Sequence, residues 1–102
     1  MSESNEFWVV VEHWKGDVRP ITRELLGRAR QLADAAGGRV VALAMGGDTA
    51  PLAPKIQGLG VDEMIGIDHP ELAKYRPRPY AEAARQVIEK RSPVALLVGA
   101  TV

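Results

Sequence analysis

Apolar runs alternate with amphipathic stretches along the chain, and this alternation predicts the secondary structure. Nearly continuous apolar runs predict four strands, at residues 7–11, 39–45, 62–68 and 93–98. Strands that are apolar throughout are typical of a parallel sheet covered on both faces. In the first strand, alternation places Trp8 and Val10 on one face of the sheet and Phe7, Val9 and Val11 on the other.

The segment between the first two strands has the period of an amphipathic helix. Its apolar stripe, over residues 21–36, consists of Ile21, Leu25, Leu26, Ala29, Leu32, Ala33 and Ala36. Pro20 or Thr22 starts this helix. The Gly37-Gly38 pair ends it where a left-handed residue is usual.

The later segments predict one short and one long helix. Pro51 and Pro54 confine the helix after the second strand to a short span. His69, in the run 68–71 (DHPE), predicts a cap followed by a single helical turn, rather than a metal ligand. A helix over 79–91 presents one apolar face, made of Tyr80, Ala83, Ala84, Val87 and Ile88. The resulting order β-α-β-α-β-α-β predicts an open parallel α/β sheet with flanking helices.

Composition limits the domain count and the classes of partner. A chain of 102 residues forms one domain at most, and 46% hydrophobic with 25% charged residues is a globular composition. Thirteen basic residues balance thirteen acidic ones, so no overall charge favours nucleic acid. The chain has no cysteine, which excludes thiolate-held iron–sulfur clusters and CxxC redox pairs. No apolar run approaches the roughly 18 residues of a membrane span, and no targeting segment is evident, so we expect a cytoplasmic protein without membrane insertion.

Candidate ligand positions lie just after the predicted strands. Neither GxGxxG nor GxxxxGK[ST] occurs. The loop 46–49 (GGDT) either cradles a phosphate or, as we favour, forms a tight turn. The Glu-His pair after the first strand lacks a nucleophile, so we expect no catalytic residue and no metal site. A cleft at this edge would be lined by Glu12, His13, Gly46, Gly47, Gly99, Ala100 and Thr101.

The remaining charged and aromatic features favour surface roles. The basic clusters are Arg19, Arg23, Arg28 and Arg30, and Lys74, Arg76 and Arg78. Both are interrupted by acidic residues, so we interpret them as solvated faces first and a protein interface second. We expect Trp8 in the core and Trp14 as an exposed anchor.

Taken in order, several segments resemble the start of the electron-transfer flavoprotein alpha subunit. The matching segments are 8–13 (WVVVEH), 19–22 (RPIT), 24–33 (ELLGRARQLA), Gly37-Gly38, 40–43 (VVAL), 59–62 (LGVD), 68–70 (DHP) and 93–101 (PVALLVGAT). The resemblance implies an adenine-nucleotide-hydrolase-like fold of sheet order 3-2-1-4, without the family's fifth strand. Residues 1–102 would then be a single, incomplete N-terminal domain.

The resemblance also implies a function. Members of this family are heterodimeric electron carriers that take electrons from acyl-CoA or related dehydrogenases, as in fatty acid β-oxidation, and deliver them to a membrane quinone reductase. The family binds FAD mainly through its C-terminal domain, outside this segment, and its beta subunit holds AMP. No FAD ligand can therefore be assigned within these 102 residues, whose role would be scaffold and subunit contact.

Two alternatives stay open. One is a stand-alone adenine-nucleotide-binding module similar to universal stress proteins. The other is a structural segment without a ligand, in which the fourth strand forms an uncharged sheet edge. We expect such an edge to promote dimerisation or aggregation of the 102-residue chain.

Overall fold

Four parallel strands form the central sheet of the computed structural model, which describes residues 5–74 and 77–99. The strands are β1 (Glu6–Val10), β2 (His13–Trp14), β3 (Asp17–Val18), β4 (Arg39–Gly46), β5 (Glu63–Asp68) and β6 (Ala95–Leu97). The helices are α1 (Pro20–Ala36), α2 (Ala53–Ile56) and α3 (Pro77–Arg91), with 3₁₀ turns at Ala50–Leu52 and Pro70–Leu72. The predicted α/β class is confirmed.

The order of the central sheet is β5-β4-β1-β6, and all its pairs are parallel. Counted along the sheet strands alone, this is the expected order 3-2-1-4. From β1 the chain moves outward to β4 and β5, and α3 then returns it to the other side of β1 as β6. The order therefore reverses between β1 and β6, which is the topological switch point where open α/β sheets bind ligands.

The two faces of β1 are buried in separate cores. Phe7, Val9 and Val11 lie in the core that packs against α1 and α2. Trp8, fully buried, lies in the core on the α3 side, where Val10 also packs. This is the predicted alternation. The predicted apolar face of α3 also packs against the Trp8 core through all five of its residues.

Helix α1 starts with Pro20 at its first turn and ends at Gly37, whose φ of 68° is left-handed. Its packing face differs from the predicted stripe: the buried residues are Thr22, Leu26, Ala29 and Ala33. Leu32, placed on the stripe by its hydropathy, is 47% exposed. With 3.6 residues per helical turn, the buried face is rotated about the helix axis by about 45° from the predicted stripe, toward Thr22. Thr22 is drawn inward because its hydroxyl bonds to the main chain after β1.

A β-hairpin follows β1 where only a turn at Gly16-Asp17 was predicted. Strands β2 and β3 pair antiparallel around Lys15 and Gly16, which both have positive φ, as a tight two-residue hairpin turn requires. Lys55 of α2 fixes the turn, since its Nζ donates to the Gly16 carbonyl at 2.6 Å and to Asp17 Oδ1 at 2.7 Å. Strands of two residues are too short to show a hydrophobic period.

The other elements agree with prediction apart from their ends. The helix after β4 is short, α3 begins two residues earlier than expected, and β6 is shorter than the predicted fourth strand. Within residues 5–74 and 77–99, no helix combines the length and apolar character needed to cross a membrane.

Candidate functional site

The structure brings two of the predicted cleft residues together at the switch point. Glu12 follows β1, and Gly99 follows the neighbouring strand β6. A Cβ atom built on Gly99 would lie 2.1 Å from Glu12 Oε2 and 3.1 Å from Ile21 Cγ1. The other two predicted residues of this loop, Ala100 and Thr101, lie outside the described residues.

The first turn of α1 fixes the main chain of Glu12. Its N–H donates to the Thr22 hydroxyl at 2.8 Å, and its carbonyl accepts from the Arg19 N–H at 2.8 Å. The side chain turns inward, and Oε2 is buried without a hydrogen-bond partner in the described part of the chain. A buried acceptor without a donor costs free energy, so this oxygen is an unfavourable feature of the sheet edge.

His13, in β2, contacts the end of β4. Its Nε2 lies 2.8 Å from the Met45 carbonyl oxygen, to which only a protonated nitrogen can donate. A Cβ on Gly46 would lie 3.2 Å from the imidazole Cε1, so this glycine makes room for the ring. The ring therefore links β2 to the end of β4.

The loop after β4 is filled by the chain's own groups. Gly47 packs against Ala73, whose Cβ would lie 3.0 Å from a Cβ on the glycine. The Thr49 N–H donates to Asp68 Oδ1 at 2.8 Å, and Thr49 itself is buried. A carboxylate thus occupies a main-chain donor that a phosphate cradle would use. The tight turn expected for residues 46–49 stays a prediction, and the hydrogen bond to Asp68 was not predicted.

His69 caps the turn that follows β5, as predicted. Its Nδ1 accepts from the Glu71 N–H at 3.1 Å, immediately before the 3₁₀ turn Pro70–Leu72. No group of three or more potential metal-ligating side chains occurs within residues 5–74 and 77–99.

Exposure separates the two tryptophans as expected. Trp8 is buried, whereas Trp14 on the hairpin is 63% exposed. Lys15 Nζ lies 5.7 Å from the Trp14 ring centroid, close enough for a cation–π contact. The hairpin therefore presents an aromatic side chain beside a positive charge. Lys55 holds the hairpin turn in place.

The basic clusters are divided between the surface and the fold. Arg19, Arg23 and Arg28 are exposed, as solvated faces would be. Arg30 instead donates to the Gly60 carbonyl and to Asp62 at 2.9 Å each, which ties α1 to the loop before β5. Lys74 and Arg78 are also exposed, and Arg76 lies outside the described residues.

Comparison with known proteins gives a family match over almost the whole chain. The electron transfer flavoprotein domain model matches residues 7–102. The chain is 42% identical over 93 residues to the LctC subunit of the NAD⁺,ferredoxin lactate dehydrogenase of Acetobacterium woodii, covering 91% of this chain and 22% of that subunit. It is 35% identical over 101 residues to the electron transfer flavoprotein alpha subunit of Megasphaera elsdenii, covering 99% and 30% respectively.

A third relative is also an electron transfer subunit. The chain is 33% identical over 96 residues to the acryloyl-CoA reductase electron transfer subunit beta of Anaerotignum propionicum, covering 94% of this chain and 26% of that protein. The chain thus spans less than a third of the length of each of these three relatives.

Proposed function

The chain belongs to the electron transfer flavoprotein family, and we propose that it serves as scaffold and subunit contact surface in the alpha subunit of a heterodimeric electron carrier. In the complete protein, FAD is bound outside these 102 residues, and the partner is a beta subunit that holds AMP. The complex carries electrons and is not an enzyme by itself. It works in the cytoplasm.

The observation that carries the scaffold role is the occupation of the carboxyl edge of the sheet. Glu12 fills the switch point against Gly99, and Asp68 takes the Thr49 N–H in the loop after β4. Both positions where a nucleotide phosphate would be held are thus taken by carboxylates of the chain. This supports a domain that contributes shape and contacts, with the redox cofactor held elsewhere.

The electron donor and acceptor are proposed at the level of class. We propose an acyl-CoA or related dehydrogenase as donor and a membrane quinone reductase as acceptor. The names of two relatives, an acryloyl-CoA reductase subunit and a lactate dehydrogenase subunit, support a donor or acceptor that acts on a small organic acid or its thioester.

The hairpin is the proposed contact with the beta subunit. Trp14 combines high exposure with a firmly anchored backbone, because Lys55 holds the turn from the adjacent helix. Tryptophan is enriched at protein interfaces, where a rigid aromatic ring buries a large area at small entropic cost.

Co-purification of the full-length subunit with its beta partner tests the assignment, together with flavin absorbance of the complex. We expect a yellow heterodimer, and a Trp14→Ser variant should bind the beta subunit at least about tenfold more weakly. Leu32→Ser, which also removes an exposed apolar side chain, is the matched control and should bind as the wild type does. A full-length protein that binds neither FAD nor a beta subunit would contradict the proposal.

The alternative is a stand-alone adenine-nucleotide-binding module, and the observation that favours it is the sheet order, which has a switch point between β1 and β6. Calorimetry with AMP and ATP separates the two functions. Absence of heat at millimolar nucleotide would remove the alternative.

A further inference from the structure

Glu12 occupies the place in this sheet where a ligand's anionic group would normally lie. In open α/β sheets the ligand sits beyond the carboxyl ends of the strands at the switch point, with its phosphate near a helix N-terminus. Here that point lies between β1 and β6, and the chain enters α1 beside it. Glu12 leaves β1 at this position, and its main chain is hydrogen-bonded to the first turn of α1 through Thr22.

The Glu12 carboxylate lies close to the main chain of the neighbouring strand end. The main chain of Gly99 lies so near that any side chain at this position would collide with Oε2, since the added Cβ would lie 2.1 Å away. Ile21 also lies close to Gly99, since its Cγ1 would be 3.1 Å from the same Cβ position. Oε2 itself is buried. The Glu12 side chain therefore lies between the two strand ends.

The charge of the carboxylate adds to its bulk. A phosphate entering between Glu12 and Gly99 would bring a second negative charge within a few ångströms of the first, in a partly desolvated site where repulsion is poorly screened. In the neighbouring loop, the Asp68 carboxylate accepts from the Thr49 N–H. A carboxylate of the chain thus lies at each of these two positions along the edge.

We propose that the carboxylate of Glu12 closes the switch-point cleft to adenine nucleotides. The inference rests on the proposed function, in which this domain is a scaffold. It names Glu12 as the residue that keeps the domain from binding a nucleotide. It follows that removing the glutamate side chain should open the cleft, whereas removing a negative charge elsewhere on α1 should not.

Nucleotide binding by the full-length protein in complex with its beta subunit tests this, with AMP as the probe in equilibrium dialysis. The wild-type complex sets the baseline, because the partner is proposed to hold its own AMP. We expect Glu12→Ala to bind additional AMP with a dissociation constant of about 1 mM or lower. Glu24→Ala removes the same charge from an exposed position on α1 and should stay at the baseline. A Glu12→Ala complex that folds normally but stays at the baseline overturns the proposal, as does a second AMP in the wild type.

A double-mutant cycle tests the packing independently of any ligand. Gly99→Ala should lower the melting temperature of the wild type by several degrees, because its methyl group meets Glu12 Oε2. In the Glu12→Ala background the same substitution should have a clearly smaller effect. Equal effects in both backgrounds would overturn the proposed placement of the carboxylate. Neither assay depends on flavin, so a yellow heterodimer that fails both tests would leave the proposed function standing and remove only this inference.

Discussion

Replacing Arg91 with methionine should destabilise the domain far more than the same change at Arg85 on the same helix. Arg91 ends α3 and binds Glu63 of β5 through both terminal nitrogens, at 2.8 and 2.9 Å. It also donates to Glu6 of β1, and its guanidinium lies 5.6 Å from the Trp8 ring centroid. One side chain thus ties α3 to two strands of the sheet.

The degree of burial sets the magnitude. The Arg91 and Glu63 side chains are about one-third exposed, at 31% and 33%, but Glu6 is only 12% exposed. Hydrogen bonds to charged groups contribute about 1.5–3 kcal/mol each in mutational series, and removing one partner of a buried pair costs about 3–5 kcal/mol. Because solvent screens part of this pair and Arg39 also binds both carboxylates, we expect a loss of about 2–3 kcal/mol.

The control removes an equally paired but more exposed arginine. Arg85 binds Glu82 and Glu89 on one helix face, and its side chain is 54% exposed. Exposed pairs of this kind contribute about 0.5 kcal/mol or less. Urea unfolding followed by far-ultraviolet circular dichroism measures both variants. Equal losses for the two arginines would refute the reasoning from burial.

The effect of Arg91→Met should also depend on pH. The hydrogen bond from Arg91 is the largest influence on Glu63 and lowers the pKa of its carboxyl. Burial acts to raise the pKa of Glu6, but hydrogen bonds from Arg91 and Trp8 outweigh it, and the net pKa is lowered. A lowered folded-state pKa gives stability that is present above the ordinary value of 4.5 and lost as the pH falls through the folded-state values. The difference between wild type and Arg91→Met should therefore shrink below about pH 4.

Three further outcomes are expected. Gly38→Ala should cost about 1–3 kcal/mol in urea unfolding, because its Cβ would lie 2.2 Å from the Asn5 carbonyl oxygen. Gly37→Asn should cost less, because its Cβ would meet no other atom and only the left-handed backbone is strained; equal costs would contradict this. Lys55→Met should speed amide exchange in the hairpin turn by about tenfold without changing exchange in β4, and unchanged turn exchange would argue against the anchor. For the 102-residue chain alone, self-association through β6 should be seen in sedimentation and reduced by Leu96→Lys; a wild type that stays monomeric at high concentration would count against an adhesive edge.

Much of the local structure could be predicted from the sequence because it depends on near neighbours. The alternation in β1 assigns Trp8 and Phe7 to opposite cores, and both lie there. Gly37 ends α1 and His69 caps the next turn, because each acts on main-chain groups a few residues away. The helical period placed Leu32 on the buried face of α1, but this side chain is exposed. Hydropathy alone could not show that Thr22 is buried instead, through its hydrogen bond to the Glu12 main chain.

The strand order could not be derived from periodicity, because a pattern of period two is the same whichever strand lies beside it. The order expected here came from the family resemblance. The order places Glu12 against Gly99, and it brings Arg91 to Glu6 across 85 residues of sequence. The sequence by itself therefore determined the four strands of the central sheet, its helices, the faces of β1 and α3, and the family. Only the tertiary structure decided which distant side chains meet, because those contacts depend on the relative placement of the strands and not on the properties of any one segment.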